Sequence, residues 1–331
     1  APDLVVFLGD FIYEGAARPV GDGVVRSHDG PEPMDVAGYR ARYGLYLADP
    51  HLQAARAACP WLVIWDDHEV ENNYAGLTPE NPDEAASFPA RRDAAYRAWW
   101  EHMPVRAAAP EPGSPLRIDR QARWGDLVDL VLLDGRQFRS DQACGSPLLS
   151  LDPPCPEASD PARTMLGTEQ EAAVGVALAA ATATWTTICQ QTALSDLRFN
   201  GAILNYDQWD GYAPARDRML AHAAAAERVV VLTGDLHSAG VGRLPGTGVE
   251  FVTASISSAA NIDPSLQPIV DSLPNIVASE LVHRGYIRHT VTAEQWRAEF
   301  RIVGDVAVAD SPVDTWRTFT VDAATPDDVR G

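Results

Sequence analysis

The chain has 331 residues, enough to bury one large hydrophobic core or two modest ones. Hydrophobic residues make up 46% and charged residues 22%, the balance of an ordinary globular enzyme, and no apolar run approaches the roughly 20 residues needed to span a bilayer. Acidic residues outnumber basic ones 46 to 26, a formal charge of −20 that repels nucleic acid and anionic membranes. Every basic residue is an arginine, which excludes lysine nucleophiles, Schiff bases and a Walker-type phosphate loop.

The chain opens in PDLVVFLGD, a strand already in progress, with neither an initiator Met nor a signal peptide, and so reads as processed or truncated. Continuous apolar runs with little alternation read as strands buried on both faces. Four such runs each end in an acid: LVVFLGD at Asp10, WLVIWDD at Asp67, LVDLVLLD at Asp134 and VVVLTGD at Asp235. Helices are expected over residues 35–47, 51–58, 89–101, 168–181 and 213–226. Residues 116–134 read as a hairpin turning at RWGD, 249–253 as a strand, and 265–282 as helical pieces. YIRHTVT, WRAEFRIV and WRTFTV alternate like a β-meander closing a second sheet. Strands alternating with helices give an α/β fold, and with no linker or repeat residues 1–331 read as a single catalytic domain. In open α/β sheets functional groups gather beyond the carboxyl ends of the strands, where all four acids stand.

Cys144 and Cys155 flank the loop CGSPLLSLDPPC. A bridge there would contribute roughly 2–3 kcal/mol and would suit an oxidising compartment; the spacing leaves bridged and free forms open. Cys189, inside TWTTICQQ, reads as a buried thiol. No CxxC spacing occurs, which excludes a zinc ribbon.

Three clusters carry chemistry. In GDFIYE, Gly9 allows close backbone approach before Asp10, and the Tyr13 phenol can reach the same ion across a tight turn. In WDDHEVENN, Asp66, Asp67, His68 and Glu69 place hard carboxylates and an imidazole directly after a strand. In TGDLHSAG, Asp235 and His237 share one face of extended backbone. Each has a plainer reading: DDHE as a solvated helix start, a single Asp as a cap or turn former. Together, acid and histidine clusters at three strand ends form a pattern suited to two cations.

GDFIYEG, RYGLYLADPHLQAARAACPWLVIWDDHEVENNY, DGRQFR, MLGTEQ, NYDQWDGYAPAR and TGDLHSA together resemble the PhoD-like alkaline phosphatases, within the wider metallophosphoesterases, from Asp3 to about Val303. The resemblance implies a four-layer α/β/β/α sandwich lacking the family's first strand. It implies ferric iron with one or more calcium ions, other divalent metals remaining compatible. Carried over residue by residue, Asp10 bridges the metals, Tyr13 binds iron, and Asp67 stands where relatives place an Asn ligand. His68 contacts the phosphoryl group, Asp235 falls on the calcium side and His237 on the iron side. A Cys ligand that the family takes from an upstream strand has no counterpart by motif among the four cysteines.

The resemblance also implies hydrolysis of phosphomonoesters or phosphodiesters by a metal-activated hydroxide, with a small phosphate ester as partner and a secreted, extracellular or periplasmic location. His68 is the expected acid or transition-state stabiliser. Arg136 and Arg139 are expected to orient phosphate, or else to form structural ion pairs. Asn72, Asn73, Asn205, Asp207 and Asp210 are supporting or calcium-binding candidates, while Trp209 and Tyr212 serve equally well as packing anchors. Loops 79–89 and 145–156 would set the choice between monoester and diester. A truncated relative that binds ions with little turnover, and a plain structural or sugar-binding domain, are the competing readings. Oligomeric state is not legible.

Overall fold

The computed structural model describes residues 2–21, 24, 26–147, 149–260 and 262–331, and divides into two compact units, residues 1–118 and 119–331. Of the loop at 145–156, residue 148 lies outside the described residues.

In the first unit, β1 (Val5–Phe7) pairs in parallel with β2 (Trp61–Val63), Val5 facing Trp61 and Phe7 facing Val63. Parallel pairing puts both carboxyl ends at one edge, so the segments holding Asp10 and Asp67 leave the pair side by side. Around them run α1 (Val36–Leu47), α2 (Pro50–Ala58) and α3 (Phe88–His102). Their starts are written locally. Asp35 accepts the Gly38 N–H at 2.8 Å, while Asp49 accepts from His51 and Leu52, with Pro50 in the first turn. Trp65, just past β2, stacks on Tyr96 of α3 with ring centroids 4.3 Å apart. Arg91 of α3 is buried and donates to Glu71, Glu84, Glu32 and the Tyr39 hydroxyl. So many acceptors are what allow a guanidinium to stay charged inside a protein.

In the second unit, β3 (Arg120–Trp124), β4 (Val128–Leu132), β5 (Trp185–Gln190), β6 (Val229–Thr233), β7 (Ala239–Leu244), β8 (Gly248–Val252) and β9 (Ile276–Glu280) form a seven-stranded sheet ordered β3-β4-β5-β6-β8-β7-β9. The centre β4-β5-β6-β8 is parallel, and every residue of β5, β6 and β8 is buried. Helices α4 (Gly167–Ala179) and α5 (Ala213–Ala223) cover one face: Val174, Leu178, Ala215 and Met219 pack with Val131, Ile188, Val229 and Val231. Each of these Val, Leu, Ile and Met side chains contributes about 1.5–3 kcal/mol when fully buried.

The other face meets an antiparallel meander of β10 (Arg284–Val291), β11 (Gln295–Val303), β12 (Val313–Asp322) and β13 (Thr325–Arg330), through Trp185 against Trp296 and Phe251 against Phe300. The α/β class, the four acid-ending strands, the hairpin and the meander are as expected. The reading of 265–282 as helical needs correction: only α6 (Gln267–Asp271) and a short 3-10 turn are helical, and β9 follows. Strands β5, β7 and β13 were not anticipated. Cys144 and Cys155 form a disulfide, and Cys189 is a buried free thiol that burial pushes up to about 12.

Candidate metal centre

Gly9 determines how closely the first unit's two loops approach. It has φ +109°, and a Cβ there would lie 2.5 Å from the Asp66 Cβ. Only glycine fits, and Asp10 follows with φ 55°. Glu69, 1% exposed, ties the loops together by accepting the N–H groups of Asp10 at 3.0 Å, Phe11 at 2.6 Å and Asp66 at 2.8 Å. Burial, with the Asp10 carboxylate close by, pushes Glu69 up to about 8.

This clamp brings Asp10, Asp67 and His68 together: one donor atom from each lies within 4.8 Å of the others. The Tyr13 hydroxyl donates to Asp10 Oδ2 at 3.2 Å, and its ring lies 4.2 Å from that of His68. Asp67 accepts the N–H groups of His68 and Asn73, which orient its carboxylate. His68 Nδ1 lies 2.7 Å from Glu14 Oε2, whose second oxygen accepts the Asn72 N–H. Burial opposes the charge on His68, but Asp67, Asp10 and Glu14 outweigh it and hold the imidazole well above its ordinary range. Asn72 itself donates to Glu80.

In the second unit, the register of β4, β5 and β6 sets their carboxyl ends level, Leu132 beside Cys189 and Cys189 beside Leu232. Asp134, just past β4, accepts the N–H groups of Arg136 and Gln137 and so shapes its own turn. Arg136 is 0% exposed; its fork goes to both oxygens of Asp207 at 2.8 Å, with Asp235 Oδ1 at 3.4 Å. Arg139 and Gln142 also donate to Asp207, and Arg139 lies 4.8 Å over the Tyr212 ring. Asn205 accepts the Asp207 N–H, a local turn. Asp210 accepts from Leu197 N–H, and burial pushes it up to about 6. Trp209 and Tyr212 are buried, tied to Gln190 and to the Ser140 carbonyl, which fits the anchor reading.

Asp235 and His237 both have positive φ, 60° and 53°. His237 Nδ1 sits 2.6 Å from the Ala259 carbonyl, which can only accept, so Nδ1 is the donor there and Nε2 is left as the nitrogen available to a cation. Arg284 donates to the His237 carbonyl, pinning the turn. These donors fit cations: carboxylates, a phenol and an imidazole whose Nδ1 is committed to a carbonyl.

A family profile described as PhoD-like phosphatase matches residues 1–300. The chain belongs to the PhoD-like phosphatase family. Among its relatives, alkaline phosphatase D of Bacillus subtilis (strain 168) is 38% identical over 336 residues, covering 96% of this chain and 57% of that protein. A solved structure of PhoD superposes with a TM-score of 0.91 at 36% identity, over 100% of this chain and 66% of that one. The chain therefore spans less than two thirds of the length of these PhoD relatives.

Two residues of this PhoD-like chain escaped the sequence reading, Glu14 and Gln208, while Glu69, expected as one of the WDDHEVENN carboxylates, spends its oxygens on backbone N–H groups. Glu14 stands inside GDFIYEG and Gln208 inside NYDQWDGY, so proximity to an assigned residue was the only signal.

Proposed function

We propose that this chain is a metal-dependent hydrolase of phosphate esters, acting on monoesters, diesters or both. The observation that carries the reading is the convergence of Asp10, Asp67 and His68 donor atoms within 4.8 Å in a PhoD-like phosphatase sequence. The ligands proposed in the first unit are Asp10, Tyr13 and Asp67, and those proposed in the second unit are Asp235 and His237. Carboxylate-rich donors suit calcium, and the phenol with imidazole suits ferric iron. Bound cations would lower the pKa of water and offset charge on the phosphoryl oxygens.

The remaining roles belong to the chain itself. His68, beside Asp10 and Asp67, is the group that offers a proton to the leaving oxygen, and Glu14 fixes its ring. Asn72 supports Glu14 through its N–H. Arg136 and Arg139 act through Asp207, and Arg136 reaches Asp235 as well. The disulfide supports a secreted location, and among the described residues no helix is long and apolar enough to cross a membrane.

Hydrolysis of p-nitrophenyl phosphate and of bis(p-nitrophenyl) phosphate, with and without added Fe3+ and Ca2+, tests the proposal. Turnover of at least one ester that depends on added cations is expected. No turnover of either ester under any metal condition contradicts the reading.

A further inference from the structure

Gln208 is 1% exposed and has no role in the chemistry proposed above. Its amide is held at both ends. Gln208 Oε1 accepts the Ala193 N–H at 2.7 Å, and Nε2 donates to Asp235 Oδ2 at 2.5 Å. A backbone N–H can only donate, so the amide oxygen must face Ala193 and the NH2 must face Asp235. The amide cannot flip without setting donor against donor, and Asp235 Oδ2 is bound to be the acceptor.

The far end of this link is also anchored. Glu250, 0% exposed in β8, accepts the N–H groups of Leu194 at 2.8 Å and Ser195 at 2.7 Å, and the Thr233 hydroxyl at 2.6 Å. The Trp209 N–H reaches back to the Ala193 carbonyl, and the Gly234 N–H to the Gln191 carbonyl. Residues 191–195 are thus fixed against the sheet below Asp235. On the carboxylate's other oxygen, Arg136 Nη2 stands at 3.4 Å. Two donors on different oxygens leave the carboxylate little rotational freedom about its own bond, although Asp235 sits in a left-handed turn with φ 60°.

We propose that Gln208 is a positioning residue for Asp235, fixing the direction in which that carboxylate presents its oxygens to a cation. The inference rests on the reading of Asp235 as a cation ligand. Outer partners that orient a ligand typically carry 10- to 100-fold in metal affinity. Gln208→Met keeps the volume and removes both hydrogen bonds. Gln208→Asn keeps an amide but shortens its reach, and gives the same readout should the methionine variant not fold.

The test is calorimetric titration of Ca2+ and of Mn2+ into the chelator-stripped chain, in wild type, Gln208→Met, Gln208→Asn and Asp235→Asn. Steady-state kinetics on p-nitrophenyl phosphate run alongside. About 10-fold or greater weakening of cation binding is expected in both Gln208 variants, with KM unchanged and kcat recovered at saturating cation. A purely structural role would lower the melting temperature without moving cation affinity. Wild-type affinity in a folded Gln208 variant, with Asp235→Asn weakened, overturns the positioning role and leaves the metal reading standing. Wild-type affinity in Asp235→Asn overturns the ligand reading and the positioning role with it.

Discussion

Glu14 holds His68: Oε2 of the one lies 2.7 Å from Nδ1 of the other, while the second Glu14 oxygen is held by the Asn72 N–H. The imidazole therefore has one nitrogen committed, and its ring plane is set from a neighbouring loop. If His68 supplies the proton for the leaving oxygen, His68→Ala lowers kcat by about 100-fold or more. Glu14→Ala costs less, because it loosens the acid without removing it. The double variant is no worse than His68→Ala alone, since the two act as a unit. Steady-state kinetics of the three variants on one aryl phosphate check this.

Glu69 is expected to matter for folding more than for chemistry. It satisfies N–H groups from both loops of the first unit. Glu69→Ala strands them and costs roughly 2–5 kcal/mol, while Glu69→Gln, which keeps one acceptor oxygen, costs less. Urea unfolding midpoints of the two variants give the comparison.

How much of the molecule is legible in its sequence follows residue chemistry. LVVFLGD and VVVLTGD are read without difficulty, because an apolar run closed by a glycine and an acid is the pattern of a buried strand entering a tight turn. WTTICQ became a central strand although its threonines and glutamine weaken the apolar signal. In AGVGRL two glycines imitate a turn, and TPDDVR carries no alternation at all. The helical reading of 265–282 failed because a short helix precedes β9 and its apolar residues suit either period. At the site, the ligand candidates were visible as acids and histidines at strand ends. Their partners were not: Glu69 bonds to residues 58 and 59 positions away, and no local pattern encodes such a pair. Arg136, visible as a cation after a strand, turned out to be tied to Asp207, 71 positions on.

Asp207 gathers Arg136, Arg139 and Gln142 onto one buried carboxylate. Asp207→Ala leaves two buried guanidinium groups without that counter-charge, a loss of about 3–5 kcal/mol. The same variant should weaken cation binding, through the freed Arg136 beside Asp235. Thermal unfolding and calorimetric titration measure the two effects separately.

His289 predicts the acid limb of stability. The residue is half-buried, but its ring lies inward, 5.6 Å from Phe251 and 5.4 Å from Trp296, and Nδ1 accepts the Trp296 indole N–H at 2.8 Å. Burial pushes it down to about 3. The unfolded chain takes up this proton near pH 6.5 and the native one only near 3, so the contribution is complete above 6.5 and is lost as pH falls toward 3. The slope approaches about 1.4 kcal/mol per pH unit within that window. His289→Gln, which can still accept from Trp296, flattens it. Urea midpoints of the two proteins, followed from about pH 7.5 down to about pH 4, show whether the slope is lost.

The central claim is that Asp10 holds a cation on which phosphoester hydrolysis depends. Metal titration into the chelator-stripped chain and its Asp10→Ala variant, each followed by hydrolysis of an aryl phosphate, tests it most directly. The account predicts that the wild-type chain binds cations and gains hydrolysis as they are added, while the folded Asp10→Ala variant does neither. Full hydrolysis in the stripped wild type, or wild-type cation binding and turnover in Asp10→Ala, would contradict it.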